Sequence, residues 1–191
     1  MKRILLYAIT SSLAGLLFGF DTVVISGAEQ QIQAQFNLGN KIHGLIISMA
    51  IWGTVVGSII GHYPSERLGR VKTLLLIGIL YFVSAIWSAI AGDTYSFMVA
   101  RFLGGLGVGI STVASPLYNS EISPPHLRGR LAGLFQFQIV FGILLAYLSN
   151  AIILSLTDDS NAWRWMMGVE AIPAFVYTLL CFYLPEIPRC R

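Results

Sequence analysis

Six stretches of about 20 residues, near 4–27, 42–62, 72–91, 95–118, 130–153 and 165–184, run almost free of charge through this chain. A helix of that length crosses a hydrocarbon layer about 30 Å thick. Lipid offers no partner for backbone N–H and C=O groups, and runs this long and this continuously apolar satisfy them as helices, not as barrel strands. The expected fold class is therefore an all-α membrane protein with six transmembrane helices. Composition agrees: 55% of the 191 residues are hydrophobic and 11% charged, where a soluble domain carries about 25% charge. Lys2 and Arg3 ahead of an apolar run raise the alternative of a signal peptide. The run continues to Ile25 and five more follow, so a retained first helix is the simpler reading. Cys181 and Cys190 are too few and too close to the end for a disulfide framework.

Lysine and arginine in the short connections set the orientation. The N-terminus and the segments after helices two, four and six hold Lys2, Arg3, Arg67, Arg70, Lys72, Arg128, Arg130, Arg189 and Arg191, and the opposite side holds only Lys41 and Arg164. Both termini are accordingly expected in the cytoplasm, with the chain a multi-pass protein of the plasma (inner) membrane. Trp163 and Trp165 then fall at the outer interface, where indole rings anchor.

Three ionisable residues interrupt the apolar runs at one depth. Arg101 lies about seven residues inside helix four, or about 10 Å at about 1.5 Å per residue. Asp21 in helix one and Glu170 in helix six fall at the same level. Charges within a membrane face a bundle interior or a watery cavity and pair with one another. Arginine keeps its proton, so the carboxylate is the titrating member: ionised, Asp21 holds Arg101, and protonated, it releases it. That is proton-coupling chemistry; a structural ion pair that only orients two helices is the alternative, and for Glu170 a satisfied residue near the interface.

Helix five, "GLFQFQIVFGILLAYLSN", carries two glutamines. Gln136 and Gln138 are two apart and point to different faces, so one can face a cavity while the other packs. Amides offer donors and acceptors together, as a polyhydroxylated ligand requires, and Phe18, Phe135, Phe137 and Phe141 could add ring faces; helix packing explains the amides equally well and is the commoner role of the aromatics. Gly105, Gly107 and Gly109 have no preceding strand, so they read as close helix contact and not as a nucleotide-binding loop. Gly15 and Gly19 make the same kind of face on helix one. The cytoplasmic segments "PSERLGRVK", "SEISPPHLRGR" and "PEIPRCR" each mix glutamate with arginine. Topology explains the arginines but not the glutamates, so a charge network across the cytoplasmic helix ends is expected, with a solvated rim as the alternative. No nucleophile with its base, metal-ligand cluster or cofactor loop stands out, so no enzyme activity, metal, cofactor or nucleic-acid partner is expected.

"GFDTVVISGA", "SERLGR", "RFLGGLGVGI", "SEISPPHLRGR", "QIVFGILLAYLSN" and "PEIPR", in this order, resemble the N-terminal half of a sugar porter of the major facilitator superfamily, across essentially the whole chain. The chain departs from that pattern at Glu66, where aspartate is usual, at His62, where glycine is usual, at Val71, the second basic position, and in its last residues. The resemblance implies that Asp21 and Arg101 are the acid and arginine that couple protons to transport in bacterial pentose and hexose symporters. Passive carriers usually have asparagine at the acid position, so Asp21 favours symport over facilitative uniport. It also implies that Gln136 contacts sugar, Phe18 is an aromatic near it, and Ile143 is a cavity position that varies. Glu66, Arg67, Arg70, Glu121, Arg128, Arg130, Glu186 and Arg189 match the intracellular charge network.

Such transporters pair two six-helix halves around a midplane site. The expected organisation is a six-helix N-terminal bundle over 1–185, with 186–191 the truncated start of a cytoplasmic middle loop. The bundle is expected to need a C-terminal six-helix half to move a monosaccharide and protons across the bilayer by alternating access. A non-transporting membrane fragment or assembly partner is the alternative.

Overall fold

The computed structural model describes residues 2–36, 39–157 and 162–186, and among them every regular element is a helix. In chain order these are α1 (Lys2–Gln35), α2 (Asn40–Ile60), α3 (His62–Arg67), α4 (Arg70–Ile90), α5 (Thr94–Ile122), α6 (Arg128–Leu156), α7 (Ala162–Val169) and α8 (Ala171–Cys181). Turn chemistry divides them. Gly69, at φ 98°, takes the left-handed conformation that lets the chain reverse between α3 and α4. Asp93 begins α5 by accepting a hydrogen bond from the Ser96 N–H at 2.9 Å.

α1, α2, α4, α5 and α6 are each long and apolar enough to cross a membrane. α1, α5 and α6 extend past the limits expected at 4–27, 95–118 and 130–153. The sixth expected span, 165–184, is not one helix but two, α7 and α8, meeting at Glu170. Pro173 supplies the reason: it has no N–H to offer the carbonyl four residues back, on Val169, so the ladder skips a rung there. The Ala174 N–H still bonds to the Glu170 carbonyl at 3.2 Å.

α1 and α5 are the most deeply buried of the five long helices, while α2 and α6 leave most of their length exposed. α2 packs on α5 and α6 on α1, with α4, α7 and α8 behind this row. The crossings are backbone-close: a Cβ on Gly19 would strike the Ile139 carbonyl of α6, and one on Gly105 the Ala50 carbonyl of α2. Two apolar cores result. One gathers Leu17, Leu74, Ile77, Tyr81 and Tyr177, and the other gathers Val24, Ile32, Phe97, Trp163 and Met167.

Candidate functional site: a buried ionic triad between α1, α5 and α7–α8

Because α1 and α5 run antiparallel at the centre of the bundle, the levels expected from counting residues coincide in space. The Arg101 Nη1 donates directly to Asp21 Oδ1, and the two side chains are 3% and 5% exposed. Glu170 is buried at the break between α7 and α8, in the field of both Asp21 and Arg101. The three residues therefore form one cluster. A single guanidinium balances a single carboxylate. The cluster is neutral when it holds one proton in addition to the arginine's own. Tyr81 of α4 lies in the same electrostatic neighbourhood, and Arg101 Nε is buried without a hydrogen-bond partner among the described residues. Such a site has two arrangements, with Asp21 ionised on Arg101 or carrying the proton.

The two glutamines of α6 separate as their spacing requires. Gln136 is exposed and Gln138 is buried, its Oε1 without a hydrogen-bond partner among the described residues. Gln136 and Ile143 are seven apart and so share one face of α6. Gly19 of α1 packs against the Ile139 carbonyl and the Ile143 N, which sets this stretch of α6 directly beside the α1 segment that carries Phe18. Phe18 is half-buried against the first core and Ile143 against the second. Phe137 and Phe141 stack on the exposed side at 6.3 Å between centroids, while Phe135 is buried.

At the arginine-rich end, Arg70 is the hub. Its Nη2 donates to Glu121 Oε1 at 2.8 Å and its Nη1 to the Ser65 carbonyl at 2.6 Å. Glu186 lies against the Gly69 backbone and, with Glu66, contributes to the field on Arg70. Glu66 pairs with His62 at 2.9 Å, one helical turn away. The other expected members are not drawn to carboxylates among the described residues: Arg67 lies over the Tyr63 ring at 4.5 Å, Arg128 donates to the Ser123 carbonyl at 3.4 Å, and Arg130 is exposed. Arg189 lies outside the described residues.

A family model described as "Sugar (and other) transporter" matches residues 7–190. The chain belongs to this sugar transporter family. The glucose transport protein of Synechocystis sp. is 40% identical over 99% of this chain and 42% of its own length. The D-xylose transporter of Levilactobacillus brevis is 42% identical over 93% of this chain and 38% of its own. Among solved structures, the major facilitator superfamily proton:xylose symporter XylE superposes with a TM-score of 0.92 at 34% identity, covering 96% of this chain and 45% of that one. The chain thus spans less than half the length of these relatives. As a sugar transporter family member built of such apolar helices, it is a multi-pass membrane protein.

The sequence reading missed a second polar seam in this sugar transporter chain, between the same two central helices. The Ser115 hydroxyl donates to the Ser11 carbonyl at 2.7 Å, and the Asn119 amide donates to the Ser12 hydroxyl at 2.7 Å. The signal was present: Ser111, Ser115 and Asn119 are spaced by four, which makes one polar stripe on α5.

Proposed function

We propose that this chain is the proton-coupling N-terminal half of a sugar and proton symporter, a six-helix bundle over 1–185 in the inner membrane with both termini cytoplasmic. The observation that carries the reading is the buried contact of Asp21 with Arg101, with Glu170 against the same carboxylate. Charged groups at such depth are costly, by about 2.5–3.5 kcal/mol each at a bilayer centre, and mark ion or proton pathways. The nine-to-two distribution of lysine and arginine supports the orientation.

In this reading a proton reaches Asp21 from outside water and the Asp21–Arg101 bond opens, which frees the guanidinium to rearrange beside Glu170. The rearrangement loosens α1 against α5 and against the Glu170 break, and it is these elements that rock against a partner half in alternating access. Release of the proton to the inside restores the pair. A monosaccharide is held at the midplane by Gln136, with Phe18 and Ile143 shaping the wall, and by a C-terminal six-helix half that supplies the remaining contacts. Arg70, Glu121 and Glu186 clamp the cytoplasmic helix ends while the site faces outwards, with Glu66, Arg67, Arg128, Arg130 and Arg189 as further members of that rim.

The test is coexpression with the C-terminal half of a sugar symporter, followed by uptake of labelled pentose and hexose into energised vesicles. Accumulation that collapses with the proton gradient is expected. Asp21→Asn is expected to abolish accumulation and to retain exchange. Assembled halves that take up neither sugar, or an Asp21→Asn protein that still concentrates sugar, would reject the reading.

A further inference from the structure

A cavity of about 410 Å³ opens between the C-terminal end of α4 and the α7–α8 segment, and no residue of the ionic triad lines it. It is lined by Ala89, Arg164, Trp165, Gly168, Val169 and Ile172. Five of these six are apolar or glycine, and one is a permanent cation. The Arg164 guanidinium is held in place from three directions: Nη1 donates to the Ala89 carbonyl at 3.4 Å, Nη2 donates to the Ala91 carbonyl at 3.1 Å, and the group lies over the Trp163 ring at 4.9 Å. Two of its five N–H donors are engaged, and among the described residues no carboxylate pairs with it.

We propose that this cavity is a binding site for an anionic phospholipid, with the phosphate on Arg164 and an acyl chain lying along Gly168, Val169, Ile172 and Ala89. Three observations favour a lipid over a free anion. The walls are apolar, so they offer nothing to a small hydrated phosphate but suit a hydrocarbon chain. Trp165 is 66% exposed at the rim, a placement that indole rings take at a membrane interface. The site also stands at the end of the bundle opposite the arginine-rich segments, where the sequence provides only Lys41 and Arg164 as cations, so the charge is local to this groove. Gly168 keeps the groove open: a Cβ there meets only the Ala89 Cβ, at 3.5 Å.

The test uses the purified chain in neutral detergent and reads the thermal unfolding midpoint with dioleoyl-phosphatidylglycerol, with dioleoyl-phosphatidylcholine at the same mole fraction, or with sodium phosphate. Phosphatidylglycerol is expected to raise the midpoint several degrees more than phosphatidylcholine, and sodium phosphate to leave it unchanged. Arg164→Gln and Gly168→Leu are each expected to remove half or more of the phosphatidylglycerol excess. Gly168→Leu fills the groove and leaves the Arg164 bonds to α4 intact, so it carries the test if Arg164→Gln does not fold. Equal shifts with both lipids, or an excess undiminished in Gly168→Leu, would overturn the proposal. A phosphate shift equal to that of phosphatidylglycerol would overturn it in favour of a free-anion site.

Discussion

Arg70 grips Glu121 with two nitrogens, Nε to both carboxylate oxygens at 3.2 and 3.1 Å and Nη2 to one of them at 2.8 Å, and so joins the start of α4 to the end of α5. This fork geometry is available to arginine and not to lysine. Both side chains remain partly in water, 22% and 28% exposed, so screening limits what the pair contributes. Arg70→Lys should cost about 1 kcal/mol or less of stability. Unfolding in detergent at low and at about 1 M salt checks this, because the difference from wild type should shrink as the charges are screened. A loss that does not change with salt would show that the Nη1 bond to the Ser65 carbonyl, and not the ion pair, is what Arg70 provides.

Two acids facing one buried guanidinium predict a non-additive loss. Asp21→Asn leaves Arg101 with Glu170, and Glu170→Gln leaves it with Asp21, so each single change should be tolerated in part. The double variant strands a buried charge and should lose about 3–5 kcal/mol, more than the two single losses together. Chemical unfolding of the four proteins in one detergent measures this. Simple additivity would mean that Glu170 does not share the cluster.

The break between α7 and α8 makes a related prediction. Pro173→Ala restores an N–H for the Val169 carbonyl and should draw α7 and α8 into one straight helix. Glu170 then turns with the helix, and its coupling to Asp21 in the same double-variant cycle should fall. Coupling that survives Pro173→Ala unchanged would show that packing, not the missing bond, aims Glu170.

Glycine to alanine should have opposite signs at two positions. At Gly19 the added methyl meets the Ile139 carbonyl of the neighbouring helix, and forcing α1 from α6 should cost about 1–3 kcal/mol. At Gly133 no described residue beyond its own turn of helix comes within 4 Å of an added Cβ, and alanine should be neutral or stabilise by about 0.5–1 kcal/mol through helix preference. Thermal midpoints of the two variants, compared with wild type, decide it. A Gly19→Ala protein as stable as wild type would contradict the close crossing.

Much of this protein is legible in its sequence because a membrane imposes simple one-dimensional rules. Length and the absence of charge mark the helices, and lipid leaves the backbone no alternative. Counting residues inward from the helix ends was enough to set Asp21, Arg101 and Glu170 at one level, since the rise per residue of a helix is fixed. The same rule separated Gln136 from Gln138. What the rule does not carry is rotation about the helix axis and the choice of neighbour. Only tertiary packing decided that α1 lies against α5 with Asp21 turned to Arg101, that Arg70 and not Arg67 or Arg128 holds Glu121, and that Arg164 folds back onto the α4 carbonyls. The break at Glu170 lies between these cases: Pro173 announced a missing bond, but whether the span would bend, divide or continue depended on the helices packed around it. Hydropathy is a property of the chain read along its length, whereas side-chain partners depend on how helices rotate and approach, which glycine crossings and buried polar bonds settle together.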